Sequence, residues 1–324
     1  MKPKVFVSRI IPDAGLKRLQ ESCEVDLWEE PLPPAYETLL ERVRGVDGIL
    51  CLLTERIDAQ LLDAAGPQLK VVSQMAVGYD NIDVNAAAER GIPVGNTPGV
   101  LTEATADLTL ALLLAAGRRI VEGVRYIQDG KWQTWEPMGL LGADLTGATL
   151  GIIGMGRIGA AVAQRAAGFD MKIIAYSPSL TRDQARAAGV EKVDLESLLS
   201  DSDFVSLHCP LNDQTRGLID AETLAQMKPS AILINTARGP IVDQQALYEA
   251  LKNGVIAAAA LDVTDPEPIP LDDPLMTLPN VIIVPHIGSA SIRTRDRMAQ
   301  MAASNLLAGL EGKPLPNAIA VKTP

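Results

Sequence analysis

Twice along this chain, short β-branched and apolar runs alternate with helical patterns, and no other feature narrows the fold as far. In the first series "KVFVS", "CEVDLW", "DGILCLL", "LKVVSQMA" and "IPVGN" read as strands, with "DAGLKRLQ", "YETLLERV", "AQLLDAAG" and "VNAAAERG" as the helices between them. Strands separated by helices must run parallel, so the pattern predicts an α/β sheet covered on both faces. "NTPGV" punctuates the chain. A Leu/Ala-rich helix is then expected over Thr102 to Arg118, apolar nearly all round and so buried between domains. From Ala148 a second series supplies six strand candidates: "ATLGIIG", "MKIIAYS", "DFVSLHC", "AILINTA", "IAAAALDV" and "VIIVPH". A length of 324 residues exceeds what one core usually holds, and two domains are expected. The helical stretch "RTRDRMAQMAASNLLAGL" has its most economical place back against the first domain, which would make that domain discontinuous.

The second series opens on "GIIGMGRIG", which sets Gly154, Gly156 and Gly159 between a strand and a helix. Glycines at that spacing suit a tight turn, a close approach of backbone to pyrophosphate, and close helix–strand packing, as in a Rossmann sheet. The helix start then offers N–H groups and a partial positive charge to phosphates. At the end of the next strand NAD enzymes carry an acid for the ribose 2′-hydroxyl. Here "IIAYSPSLTRD" has Ser177 at that place, with Pro178, Ser179, Thr181 and Arg182 following. With no carboxylate to repel a 2′-phosphate, NADP(H) is expected ahead of NAD(H).

Composition removes several classes. A formal charge of −11 argues against a nucleic-acid partner, which needs a basic face. The longest apolar run, "LTLALLLAAG", is about half a membrane span. Cys23, Cys51 and Cys209 lack metal-ligand spacing and read as buried thiols of a reducing compartment. "MKPKVFVSRI" enters a strand at once, so no signal peptide is expected, and the cytoplasm is the expected location. No metal site is expected.

Three polar side chains fall just beyond strand candidates, where open α/β sheets bind ligands: Arg238 in "NTARGPIVD", Glu267 in "LDVTDPEP" and His286 in "VIIVPHIGSA". Together they would give a cation for a carboxylate, a ring that exchanges protons near neutrality, and an acid to keep that ring charged. Reduction of a ketone needs all three. The second histidine, His208 in "SLHCPL", reads as a ring lining the cofactor groove, and Asp262 as facing a nicotinamide amide. Arg157 and Ile158 in the glycine turn, with Pro210, Thr236, Ala237 and Gly288 at strand ends, complete the expected cofactor contacts.

With "MAVGYDNID", "GIIGMGRIG", "LHCPL", "NTARGPIVD", "LDVTDPEP" and "VPHIGSA" in place, the chain resembles the D-isomer-specific 2-hydroxyacid dehydrogenase family from end to end. Within it the stretch "AAAALDVTDPEPIPLDDPLMTLPNVIIVPHIGSA" is most similar to glyoxylate/hydroxypyruvate reductases. The resemblance implies two Rossmann-like or flavodoxin-like domains. A substrate-binding domain would be built from residues 1–99 and 290–324, and a dinucleotide-binding domain from 100–289. It also implies a homodimer, a small 2-oxoacid substrate, and catalytic roles for Arg238, Glu267 and His286. The substrate carboxylate would meet N–H groups of the loop holding Ala76, Val77 and Gly78. Leu53, with Met75 and Trp135, is expected to wall the other end of the substrate. Gly139 stands where some relatives have a tryptophan that crosses the dimer. The alternatives are a D-3-phosphoglycerate dehydrogenase-like enzyme, whose frequent regulatory domain this chain is expected to lack, and a dinucleotide-sensing corepressor that keeps the fold as a scaffold.

Overall fold

The computed structural model describes residues 1–320; positions 321–324 of the expected 290–324 segment lie outside the described residues. The chain divides into two compact units: Met1–Leu101 with the segment from Ala290 onward, and Thr102–Ser289.

In the first unit β1 (Lys4–Val7), β2 (Glu24–Leu27), β3 (Gly48–Cys51), β4 (Val71–Gln74) and β5 (Val94–Gly95) alternate with α1 (Asp13–Ser22), α2 (Tyr36–Arg42), α3 (Ala59–Ala65) and α4 (Val84–Glu89). The strands lie in the order β2-β1-β3-β4-β5, and every neighbouring pair is parallel. Helices cover both faces, so β3 and β4 are buried along their whole length, as is β1 after Lys4, and Val5, Phe6, Val7, Ile49, Leu50 and Val72 are fully buried. Each such side chain contributes about 1.5–3 kcal/mol of transfer free energy. Asp58 and Asp83 start α3 and α4 by accepting the N–H groups of Leu61 and Ala86. The C-terminal helix Ile292–Leu310 lies on α1, β3 and β4. Small residues make that approach possible. A Cβ on Gly15 would stand 2.5 Å from the Ala299 carbonyl oxygen, and one on Gly309 would stand 2.5 Å from the Val71 Cβ.

The second unit opens with α5 (Thr102–Gly117) and α6 (Ile120–Gln128). A seven-stranded parallel sheet follows: β6 (Thr149–Ile153), β7 (Lys172–Tyr176), β8 (Glu191–Lys192), β9 (Phe204–Leu207), β10 (Ile232–Asn235), β11 (Ala258–Leu261) and β12 (Val281–Ile283). The helices between strands are α7 (Arg157–Ala167), α8 (Arg182–Ala187), α9 (Leu195–Asp201), α10 (Ala221–Gln226) and α11 (Gln244–Lys252). The order is β12-β11-β10-β9-β6-β7-β8, so direction of travel reverses between β6 and β9. That is the switch point at which doubly wound sheets open a crevice. Helix α5 packs on α7, β10 and β11 and buries nine of its residues, in keeping with its all-round apolar pattern.

Two elements depart from expectation. The sheet has a seventh strand, β8, where six were read; its two residues, Glu191 and Lys192, are charged and exposed and offer no apolar signal. Helix α6 is not among the expected helices, and none of its residues is buried. No helix among the described residues is long and apolar enough to cross a membrane.

Candidate active site

All the polar side chains singled out from the second series sit at the carboxyl edge of the seven-stranded sheet or just beyond it. Gly154 follows β6 with φ +100°, and a Cβ there would stand 2.5 Å from the Cys209 amide nitrogen at the end of β9. Gly159 faces back, and its Cβ would come within 2.1 Å of the Gly154 carbonyl oxygen. Between them Gly156 meets nothing within 4 Å and precedes α7, whose start has no side-chain cap. The helix therefore presents its first N–H groups, at Arg157 and Ile158, to open space. A dinucleotide pyrophosphate fits that cradle.

Beyond β7, Ser177 is half-buried while Pro178, Ser179 and Arg182 are exposed. Thr181 is committed elsewhere. It forms a reciprocal capping box with Gln184, and Arg182, the first residue of α8, is exposed beside it. His208 pairs through Nε2 with the Ser206 hydroxyl at 2.8 Å, and burial pushes its pKa down to about 3. The ring is neutral at physiological pH and offers shape and a hydrogen bond rather than charge. Thr236 is 2.9 Å from Thr109 through the two hydroxyls, Ala237 donates its N–H to Asn235, and the Pro210 carbonyl accepts the Thr215 hydroxyl.

Arg238 is held by its own strand end. Asn235, almost wholly buried at the end of β10, donates to the Arg238 carbonyl at 2.8 Å, and Pro240 then tightens the Gly239–Ile241 turn. The Arg238 guanidinium donates to the Ala237 carbonyl at 2.8 Å. Glu267 lies in the loop after β11, where the Asp265 N–H donates to Gln244 at the start of α11. His286 follows β12 at φ +51°, a left-handed conformation uncommon for a non-glycine residue. Its backbone N–H donates to the carbonyls of Asp262 and Val284. Its Nδ1 is 2.5 Å from the Glu267 carboxylate, with side-chain exposures of 28% and 40%. An ionised carboxylate only accepts, so Nδ1 carries the hydrogen and Nε2 is left for another partner.

Asp262 is 2% exposed, and its two oxygens accept the Ile287 N–H at 2.6 Å and the Gly288 N–H at 2.8 Å. Burial raises its pKa, while those two hydrogen bonds oppose the rise. The carboxylate anchors the loop that carries His286. Gly288 is part of the same clamp: a Cβ there would stand 3.0 Å from that carboxylate, and its carbonyl accepts the Thr105 hydroxyl.

In the first unit Leu53 is 36% exposed, Ala76 is buried, and Val77 and Gly78 are half-buried in the loop after β4. Met75, expected to line a substrate wall, is 4% exposed within the hydrophobic core of this unit and is not available for that role. Trp135, in the second unit, is 79% exposed. Three residues that hold these loops are not among the expected site residues: Gln74, Asn81 and Gln244. The one available signal is a glutamine closing the strand-like run of β4. Among the described residues no cluster of three or more His, Cys, Asp or Glu could hold a metal ion.

A glycine turn at the switch point of a parallel sheet, with an imidazole–carboxylate pair and an arginine at neighbouring strand ends, is the plan of a dinucleotide-dependent dehydrogenase. Comparison with known proteins agrees. Residues 110–288 match the model of the D-isomer specific 2-hydroxyacid dehydrogenase NAD-binding domain. A glyoxylate reductase of Korarchaeum cryptofilum is 55% identical over 98% of this chain and 96% of its own length. A solved structure of a Thermus thermophilus protein superposes with a TM-score of 0.91 at 50% identity, covering 98% of this chain and all of that one. The NADPH-dependent glyoxylate/hydroxypyruvate reductase of Sinorhizobium meliloti, solved with NADP and malonate, gives 0.84 at 33% identity, covering 99% of this chain and 97% of the other. The chain belongs to the D-isomer specific 2-hydroxyacid dehydrogenase family.

Proposed function

We propose that this protein reduces glyoxylate and hydroxypyruvate to glycolate and D-glycerate, using NADPH in preference to NADH, as a cytoplasmic homodimer. The observation that carries the chemistry is the hydrogen bond between His286 and Glu267 at the sheet edge. Glu267 fixes the ring by its Nδ1 hydrogen, so Nε2 is the atom that gives a proton to the keto oxygen of the substrate and takes it back in the reverse reaction. The bound dinucleotide supplies the hydride. Arg238 pairs with the carboxylate and keto oxygen of the substrate and stabilises charge as it develops on that oxygen. In the first unit the N–H groups of Val77 and Gly78, in the loop begun by Ala76, hold the substrate carboxylate, and Leu53 contacts the carbon beyond the keto group. Gly154, Gly156, Arg157, Ile158 and Gly159 hold the pyrophosphate. His208, Pro210, Thr236, Ala237, Asp262 and Gly288 form the rest of the cofactor wall.

Three finer points rest on separate observations. NADPH preference is supported by Ser177 and the exposed Arg182 where a carboxylate would repel a 2′-phosphate, with Pro178 and Ser179 flanking. The homodimer is supported by a solvent-facing apolar row on α6, Ile120, Val124 and Ile127, at 50–58% exposure, continued by Trp132, Trp135, Met138 and Leu141. Large exposed apolar patches often mark interaction surfaces. The cytoplasm is supported by three free cysteines, two of them buried.

Steady-state rates for glyoxylate, hydroxypyruvate and pyruvate, each with NADPH and with NADH, test the reading. Turnover of glyoxylate and hydroxypyruvate above pyruvate is expected. If no 2-oxoacid is reduced the proposal fails, and a kcat/KM for NADH at or above that for NADPH removes the cofactor assignment.

A further inference from the structure

Three consecutive carbonyls of the loop after β4 are tied down. The Ala76 carbonyl accepts the Thr97 N–H at 2.8 Å, the Val77 carbonyl accepts Asn96 Nδ2 at 2.7 Å, and the Gly78 carbonyl accepts Gln74 Nε2 at 2.6 Å. In a trans peptide the carbonyl of one residue and the N–H of the next point opposite ways. Three fixed carbonyls in a row therefore fix the directions of the Val77, Gly78 and Tyr79 N–H groups, each opposite a carbonyl that is already bonded. Among the described residues those three N–H groups have no acceptor.

Gln74 is fully buried, which is rare for its type, and every hydrogen-bonding position of its amide is used. Besides the Gly78 carbonyl, its Nε2 donates to Asn81 Oδ1 at 2.8 Å. Its Oε1 accepts from Asn81 Nδ2 at 3.0 Å and from the buried Cys51 thiol at 3.4 Å. Asn81 Nδ2 also reaches the carbonyls of Leu52 and Glu55 at 2.9 and 2.8 Å, which ties in the loop bearing Leu53. Asn96 is held in turn, its carbonyl accepting Asn305 Nδ2 at 2.8 Å. A side-chain lattice this complete has one rigid arrangement, and its output is the direction of a row of backbone donors.

We infer that Gln74 and Asn96 are positioning residues for the substrate carboxylate: Asn96 holds the Val77 carbonyl, and Gln74, paired with Asn81, holds the Gly78 carbonyl, so that the N–H groups of this loop are preset before substrate arrives. The inference rests on the reading that this loop binds the carboxylate. Neither residue touches a reacting atom, so their loss weakens carboxylate binding and leaves the chemical step in place.

The test compares wild type with Gln74→Met, which keeps bulk but not the donor, and Asn96→Ser, whose hydroxyl falls short of the Val77 carbonyl. KM for glyoxylate is expected to rise by about tenfold or more, and the inhibition constant of oxamate, an unreactive 2-oxoacid analogue, by the same factor. The kcat is expected to stay within about threefold and KM for NADPH unchanged, a split that general loosening of the fold would not produce. Folded variants with wild-type KM and oxamate inhibition overturn the inference. Failure of both variants to fold also overturns it, because the lattice would then serve the fold rather than the substrate. If wild type itself neither reduces glyoxylate nor is inhibited by oxamate, the functional reading has failed instead.

Discussion

Gly239 and Thr264 meet backbone to backbone: a Cβ placed on Gly239 would lie 1.9 Å from the Thr264 carbonyl oxygen. One belongs to the turn that carries Arg238 and the other to the loop that carries Glu267, so the two are spaced by main chain rather than by side chains. Gln244 reinforces the contact, accepting the Asp265 N–H at 3.0 Å and donating to Asp273 at 2.8 Å. Gly239→Ala must push the turn and the loop apart, and displacements near 1 Å in a site cost about a hundredfold in rate. A fall of that size in kcat/KM, with a lowered Tm, is expected from steady-state kinetics and a thermal melt. Unchanged kinetics would mean that the spacing of the two segments does not matter to the reaction.

The His286–Glu267 pair leads to a kinetic prediction. On the proposed mechanism His286 gives the proton, so His286→Ala is expected to cut kcat by at least about a hundredfold. Glu267→Gln keeps the shape but puts an amide where a carboxylate accepts the Nδ1 hydrogen, so the ring loses its fixed tautomer and orientation, and kcat is expected to fall while KM for NADPH stays unchanged. A Gln variant with wild-type kcat would show that Glu267 does not hold the ring for the reaction.

Ser177→Asp tests the cofactor reading at its narrowest point. The new carboxylate repels a 2′-phosphate and accepts a bond from a 2′-hydroxyl, so kcat/KM should shift toward NADH. The ratio of kcat/KM for the two cofactors, measured on one preparation, decides it. A ratio that does not move would transfer the discrimination to Arg182 or elsewhere.

How far the sequence announced these features depends on whether the signal was local. Gly154, Gly156 and Gly159 could be read because each meets a backbone requirement within a few residues, and the structure shows three different surroundings for them. The parallel strands were legible for the same reason. A strand buried on both faces writes an apolar run whatever its neighbours. Long-range contacts wrote nothing comparable. Nothing in the sequence near Asp262 marks its oxygens as anchors for backbone N–H groups 25 and 26 positions onward. Met75 looked like a wall residue because its burial depends on a core assembled from both ends of the chain. Helix α6 did carry a local signal, Ile120, Val124 and Ile127 at helical spacing; what the sequence does not show is that this stripe faces solvent rather than the core of its own unit.

His208 gives a stability prediction with a definite sign. Its pKa of about 3 in the folded protein lies below the ordinary value near 6.5, because burial disfavours the charged ring. Between those values the unfolded chain binds a proton that the folded chain refuses, so stability falls as pH falls from about 6.5 toward 3. Asp194 and Asp220, held low by backbone N–H groups at helix starts, lose their contribution only lower, in the carboxylate range. The urea midpoint of wild type should therefore drop more between about pH 7 and about pH 5 than that of His208→Gln. Parallel drops in the two proteins would mean that the ring takes up its proton without unfolding.

The α6 surface gives the last expectation. Ile120, Val124 and Ile127 recur at helical spacing on a helix with no buried residue, and Trp132, Trp135, Met138 and Leu141 continue the apolar surface along the chain. Left in water these side chains gain nothing from folding; covered by a second copy, each recovers about 1–3 kcal/mol. A carboxylate in the centre of such a patch would be desolvated without a partner on association, at a cost of several kcal/mol counted twice in a symmetric pair. Val124→Asp is thus expected to convert a dimer to a monomer in sedimentation velocity or light scattering. The substitution lies on the solvent side of α6 and away from the strand ends that carry Arg238 and His286, so a monomer with a near-normal melt would isolate the effect to assembly. A wild-type protein that sediments as a monomer at micromolar concentration would remove the homodimer, and the exposed row would then need another partner.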